Sequence, residues 1–304
     1  MTNDSALDGA NLTKAARPIN AARFSRPPFS SKAVADMPRP EHPMLSPFAQ
    51  SLALAAWRAG GIIMRHYAAE SVDTRRKADH SPVTAADEEA ELFILGELAR
   101  LAPGVPIIAE EEVAAGRVQT IGAHFFLVDP LDGTKEFINR NGEFTVNIAE
   151  IKDGIPVCGV VYAPAKERLF LGETPGGAIE IAATVDAEPD FGKAQAIHVR
   201  TAPADGMIAV ASRSHRDTKT DEYLAHYRIK DFVSAGSSLK FCLVAAGEAD
   251  IYPRHGRTME WDTAAGHAVL MAAGGTMTTL DGKPFLYGKT ADKYANPFFV
   301  AKGA

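Results

Sequence analysis

Cysteine is nearly absent from this chain: Cys158 and Cys242 are the only two in 304 residues. Both sit inside apolar runs, ValCysGlyVal and PheCysLeuVal, which predicts two buried free thiols in a reducing cytosol rather than a disulfide framework. No apolar run approaches the roughly 18 residues that cross a bilayer. The longest, residues 52–64, is broken by Arg58 and the pair Gly60-Gly61, so the chain is expected to be soluble, without a transmembrane segment. Clustered Lys and Arg are missing too, and the formal net charge is -6, which argues against a nucleic-acid surface. The nearest candidate, Arg75-Arg76-Lys77, reads as a solvated turn. Several chemistries lack their signatures. There is no GlyXaaSerXaaGly elbow for a serine hydrolase, despite SerArgSerHis at 212–215. No GlyXaaXaaXaaXaaGlyLysSer/Thr loop supports a P-loop kinase, and no His/Cys cluster suggests zinc. Internal repeats are absent.

What remains is ample core material, with 46% hydrophobic residues, enough for one large domain or two fused halves. Residues 1–44 stand apart, rich in Pro, Ser, Ala and Arg and without hydrophobic periodicity, and are expected to form a disordered extension. An apolar h-region is lacking, Asp4, Asp8 and Asp36 weaken a transit-peptide reading, and Met37 or Met44 offers an alternative start. Residues 45–304 read as the globular part. A polar, Gly/Pro/Glu-rich stretch around 175–195 divides it into halves of about 45–185 and 195–304.

Within the globular part, Ser46 caps an expected helix to about residue 67, with Leu52, Ala55, Ala56, Ala59 and Ile63 on one face. A second helix opens at Thr84 or Ala85, takes Leu92, Ile94, Leu95 and Leu98 as its apolar stripe, and ends at Pro103-Gly104. Residues 105–109 and 125–128 have strand character. Residues 144–151 and 155–162 form a hairpin about Asp153-Gly154. Later come strands near 207–211, 229–233 and 250–252, and helices near 218–227, 238–247 and from Asp262 to Gly274-Gly275. Sheets and helices alternating in two successive sections predict layered α/β sandwiches.

The chemically informative segment is PhePheLeuValAspProLeuAspGlyThrLysGluPhe, 125–137. A strand ends at Asp129, Asp132 follows across a Pro-containing turn, Gly133 permits a tight backbone, and Thr134 stands where a helix can begin. Two carboxylates this close can reach different sides of a metal pair, and helix-start N–H groups can hold a phosphate oxygen. An ordinary Asp-Gly turn is the bland alternative. Two further acidic sites favour metal chemistry. Glu110 and Glu111 repel each other just past a strand unless a cation compensates, and Asp262 opens an Ala-rich helix where it is at least a good N-cap. Three acidic sites at element termini suit a hard, oxygen-seeking ion. Asp87 lies in a helix first turn, where dipole stabilisation alone accounts for it.

In this order, SerProValThrAlaAlaAsp (81–87), GluGlu (110–111), AspProLeuAspGlyThr (129–134) and TrpAspThrAlaAlaGly (261–266) resemble the inositol monophosphatase superfamily of metal-dependent, lithium-sensitive phosphatases. Residues 135–149, 212–215 and 236–245 are most similar to its bacterial 3′(2′),5′-bisphosphate nucleotidase branch, and the resemblance covers roughly 46–302. It implies a layered α-β-α-β-α sandwich, α/β (α+β) in class, of the sugar-phosphatase type. It also implies two or three magnesium ions per site. Glu110, Asp129 and the Leu131 carbonyl would hold one, and Asp129, Asp132 and Asp262 a second. Asp87, Glu110 and Thr134 would be catalytic, orienting and deprotonating water. Gly133 and Thr134 would contact the scissile phosphate, bordered by Glu110, Leu131, Asp132 and Asp262. His215, Ser237, Lys240 and Arg254 would hold the nucleotide.

The implied reaction turns adenosine 3′,5′-bisphosphate into AMP and phosphate within sulfur assimilation, with 3′-phosphoadenylyl sulfate as a second substrate. Inositol-1-monophosphatase is the alternative, fructose-bisphosphatase the third, and a non-catalytic nucleotide and metal sensor the reading outside enzymes. The last is disfavoured because every expected acidic position is occupied. Location is expected to be cytoplasmic, with peripheral attachment to the inner membrane face implied by relatives. Oligomeric state, monomer or homodimer, is left open.

Overall fold

The computed structural model describes residues 43–69, 74–76, 82–212 and 218–304. The extension expected over residues 1–44 therefore lies outside the described residues except for Pro43 and Met44. Met44 donates its N–H to Gly176 O at 3.0 Å, so ordered pairing starts just before the expected boundary.

Helix α1 (Pro47–Ala68) begins as its sequence predicts: Ser46 Oγ accepts from Ala49 N–H at 3.1 Å and Pro47 takes the first helical position. Leu52, Ala55, Ala56, Ala59 and Ile63 are all buried. Strands β1 (Thr74–Arg76) and β2 (Pro82–Thr84) pair antiparallel, so Arg75 and Arg76 belong to a strand rather than to the expected turn; Lys77 lies outside the described residues. Helix α2 (Ala85–Leu101) buries Ala86, Ala90, Ile94 and Leu98. Leu92 does not join that stripe and is 74% exposed. Residues two apart on a helix point about 200° apart, so Leu92 faces away from the row of i, i+4 neighbours that meets α1.

Beyond α2, the chain builds a sheet in the order β3-β4-β5-β6-β7-β8-β9. Its strands are Ile107–Ala109, His124–Asp132, Thr145–Lys152, Ile155–Ala163, Arg168–Glu173, Gly177–Ala182 and Gln195–Ala196. Only the β3–β4 pairing is parallel. Two short helices, α3 (Glu110–Ala114) and α4 (Thr134–Ile138), follow β3 and β4 directly. In β4, Phe126 and Val128 face the helices α1 and α2, while Phe125 and Leu127 face the opposite side. Burial on both faces explains why PhePheLeuVal reads as a continuous apolar run rather than an alternation.

The opposite face is covered by α6 (Leu239–Ala245) and α7 (Trp261–Ala272), which share one core with that side of the sheet. Behind them stands a second sheet, order β11-β10-β12-β14-β13: Ile229–Ala235, Met207–Ser212, Ile251–Arg254, Phe299–Lys302 and Thr276–Thr279. Helix α5 (Thr218–Leu224) closes its outer side, with Leu224 packed on Ala209, Ile251 and Val300. The layers run α-β-α-β-α, as expected. Seven strands, β1, β2, β7, β8, β9, β13 and β14, have no counterpart among the predicted elements. The 175–195 stretch read as a boundary instead contributes β8, fully paired to β7, and the first residue of β9. Cys158 and Cys242 are buried and free, as predicted. No helix among the described residues is long and apolar enough to cross a membrane.

Close approach of α7 to the larger sheet depends on Gly159 and Gly172. A Cβ on Gly159 would lie 2.6 Å from both Ala265 O and Ala268 Cβ, and one on Gly172 2.6 Å from Val269 Cα. These contacts are backbone or helix-bound and cannot swing aside. Gly159→Ala is therefore expected to destabilise the fold by about 1–3 kcal/mol through overpacking, read as a lowered urea midpoint with an unchanged slope.

Candidate active site

The parallel register pairs Ala109 with Val128, so the next residues, Glu110 and Asp129, emerge side by side at the carboxyl ends of β3 and β4. Strand β4 then slips register between Asp129, opposite Asn147, and Asp132, opposite Thr145. Pro130 at this irregularity has no N–H to lose, and Leu131 donates its own to Asp129 Oδ1 at 3.0 Å. Gly133 turns the chain with φ 92°, and a side chain there would crowd Glu143 O at 3.1 Å. Helix α4 starts at Thr134, where the sequence predicts a helix start.

Helix α7 delivers the third acidic group. Asp262 is its second residue rather than its cap; Glu260 occupies the cap position, and Asp262 Oδ2 accepts from Met259 N–H at 2.8 Å. Carboxylate oxygens of Glu110, Asp129 and Asp262 lie within 4.8 Å of one another. Burial, then repulsion from Asp132 and Glu110, raises the Asp262 carboxyl well above its ordinary range. Asp132 is pushed up to about 6, chiefly by burial and further by Glu110 and Glu136, against the pull of Lys240 and a hydrogen bond from Ser238. Such a set of carboxylates calls for a cation. All donors are oxygen, as hard divalent ions prefer.

These residues line a cavity of about 300 Å³ that also takes in Leu131, Gly133, Thr134, Ser237, Lys240 and Arg254. Lys240 Nζ donates to Ser237 O at 2.5 Å, and burial lowers its pKa to about 8 although Asp132 pulls the other way. Ser237 holds φ 43°, uncommon for a non-glycine residue, and its Oγ lies 3.0 Å from Thr145 Oγ1. Asp87, at the third position of α2, accepts from Thr84 N–H at 2.8 Å and Thr84 Oγ1 at 2.6 Å in a capping box. Its other oxygen is 3.3 Å from Thr134 Oγ1, a contact that dipole stabilisation does not explain. His215 lies outside the described residues.

Sequence reasoning missed Glu91, Asn147 and Ser238. Glu91 is buried one turn after Asp87, and its two oxygens accept from the N–H groups of Glu111 and Glu112 at 2.8 Å each. It thereby anchors the first turn of α3, behind Glu110, with its own carboxyl pushed up to about 7 by burial. The i, i+4 spacing from Asp87 on the buried face was the available signal.

Residues 44–298 match the inositol monophosphatase family as a whole. The chain belongs to the inositol monophosphatase family. Among curated relatives, the "3′(2′),5′-bisphosphate nucleotidase CysQ" of Shigella flexneri is 46% identical over 245 residues, covering 80% of this chain and 95% of that protein. The protein of the same name from Haemophilus influenzae is 32% identical over 256 residues, covering 82% and 90%. Among solved structures, CysQ from Bacteroides thetaiotaomicron, described as a bacterial member of the inositol monophosphatase family, superposes with a TM-score of 0.71. It is 38% identical and covers 84% of this chain and 96% of its own. Membership in this family carries the fold, and the acidic cluster stands in a metal-dependent family.

The raised carboxyl of Asp132 fixes the sign of a stability test. Its folded pKa of about 6 exceeds the unfolded 3.8, so ionisation destabilises the cation-free fold as pH rises between these values. Asp132→Asn is expected to stabilise the cation-free protein at pH 7.5 by on the order of 1–3 kcal/mol. At pH 4 it should change little, as urea melts at the two pH values will report.

Proposed function

We propose that this chain is a magnesium-dependent 3′(2′),5′-bisphosphate nucleotidase of the cytoplasm that converts adenosine 3′,5′-bisphosphate to AMP and phosphate. We further assign 3′-phosphoadenylyl sulfate as a second substrate, a role in sulfur assimilation, and residues 45–304 as the catalytic domain. The observation that carries the reading is one cavity holding both an acidic cluster and cationic side chains, Lys240 and Arg254 along with Lys135. A substrate with two phosphates needs two receptors of different kinds: carboxylates that recruit metal for the phosphate being cleaved, and fixed cations for the one retained. The names of the relatives support the same substrate class.

The donor set fits magnesium. Glu110, Asp129 and the Leu131 carbonyl would hold one ion, and Asp129, Asp132 and Asp262 another. Held by these residues, magnesium would supply charge neutralisation on the phosphoryl oxygens and a more acidic water. The protein's own groups supply position and proton transfer. Thr134 Oγ1, when it donates to Asp87 Oδ1, keeps lone pairs that can accept a proton from the attacking water. As Thr134 Oγ1 takes that proton it would pass its own to Asp87 Oδ1, with Glu110 orienting the water and the departing ribose oxygen gaining a proton from solvent, while Gly133 and Thr134 offer backbone N–H groups at the start of α4 to the scissile phosphate. In-line attack on phosphorus then expels the ribose oxygen, and the water oxygen leaves in inorganic phosphate. Lys240, Arg254, Ser237 and His215 would hold the rest of the nucleotide.

Asp129→Asn removes the one carboxylate assigned to both ions. It is expected to lower phosphate release by at least about a hundredfold while the circular dichroism spectrum stays unchanged; near-normal turnover at saturating magnesium would defeat the metal assignment. Lys240→Met should raise KM for adenosine 3′,5′-bisphosphate about 10–100-fold, the worth of a charged hydrogen bond, with far less effect on a monophosphate. Equal or faster turnover of inositol 1-phosphate by the unaltered enzyme would favour the inositol monophosphatase reading instead.

A further inference from the structure

Ser238, the residue before α6, sits where three segments meet. Its Oγ is 3.2 Å from Asp132 Oδ2 at the end of β4 and 2.8 Å from the carbonyl oxygen of Asp262 in the first turn of α7. The third neighbour is Asn147 on β5, whose Nδ2 donates to Ser238 Oγ at 3.0 Å and lies 3.4 Å from Asp132 Oδ2. Ser238 and Asn147 are each 1% exposed. A hydroxyl has a single proton, so the amide's donation leaves that proton for Asp132 or the Asp262 carbonyl. Asn147 Oδ1 is buried with no hydrogen-bond partner among the described residues. An unpaired amide oxygen is costly, so the orientation of this side chain is set by what its nitrogen holds.

Asp132 and Asp262 come from elements far apart in sequence, β4 and α7, and their carboxylates repel. Nothing in the covalent chain keeps them at a useful separation. We propose that Ser238 and Asn147 are a positioning pair that ties the Asp132 carboxylate to the first turn of α7 and so sets the spacing of Asp132 and Asp262 for a divalent cation. Neither residue is assigned a contact with the reacting atoms. This inference rests on reading the acidic cluster as a cation site, and not on the identity of the phosphorylated substrate.

The test titrates Mn²⁺ into the full-length protein without nucleotide and follows free Mn²⁺ by electron paramagnetic resonance. Ser238→Ala and Asn147→Ala are each expected to weaken Mn²⁺ binding by about 10–100-fold, the range seen when partners behind a metal ligand are removed. The magnesium concentration for half-maximal turnover should rise in step, while KM for adenosine 3′,5′-bisphosphate at saturating magnesium stays close to that of the unaltered enzyme. A purely structural role would lower the urea midpoint without separating these two constants. The double variant should lose no more than the weaker-binding single one, because both act through one contact set. If Ser238→Ala does not fold, Asn147→Ala carries the comparison. Unchanged Mn²⁺ affinity in the folded variants, or no Mn²⁺ binding by the unaltered protein, overturns the proposal. Failure to turn over the bisphosphate, with the Mn²⁺ losses intact, would instead sink only the nucleotidase reading.

Discussion

Carboxylates packed against one another in a partly dry pocket repel, and the rest of this fold works to keep Glu110, Asp129, Asp132 and Asp262 together in spite of it. The opposition is visible in Asp132 and Asp262, whose carboxyls are raised by burial and by their neighbours. A protein does not assemble such a cluster for stability. Strand pairing, a helix pressed onto a sheet and a few hydrogen bonds into the cluster supply the constraint that the side chains themselves resist. Local strain elsewhere in the cavity, at Ser237, belongs to the same pattern of stability given up at a functional site.

Each constraint has a separate origin. Glu110 and Asp129 are neighbours because β3 and β4 are the one parallel pair in their sheet, so both strands release their carboxyl ends at the same edge. Asp132 is placed by the register slip in β4 and the left-handed Gly133. Asp262 arrives by helix packing, on an α7 allowed close to the sheet by glycines at 159 and 172. Glu91 braces the first turn of α3 behind Glu110, and Glu260 accepts from the N–H groups of Gly288 and Lys289, pinning the loop beside the start of α7.

Proximity of opposite charges gives the cavity its second character. Lys240 and Arg254 share it with the acidic cluster, and Lys240 is held buried by the Ser237 carbonyl and by attraction to Asp132. In the proposed reading, their position beside the carboxylates provides the receptor for a second phosphate.

By itself, the sequence determined the local pieces. Ser46 as a cap, the α1 face, the hairpin about Asp153-Gly154 and the Asp129–Thr134 turn are all written within a few residues, where spacing and turn chemistry suffice. Local pattern misplaced Leu92, which is apolar but points away from α1, and it missed β1, β2, β7, β8, β9, β13 and β14. Only tertiary structure decided that Glu110 meets Asp129 and Asp262, that Asp87 reaches Thr134, and that Glu91, Asn147 and Ser238 stand behind them. Those contacts join residues from 15 apart (Asn147 and Asp132) to 152 apart (Glu110 and Asp262), and no periodicity encodes a register between strands or the height at which a helix lies on a sheet.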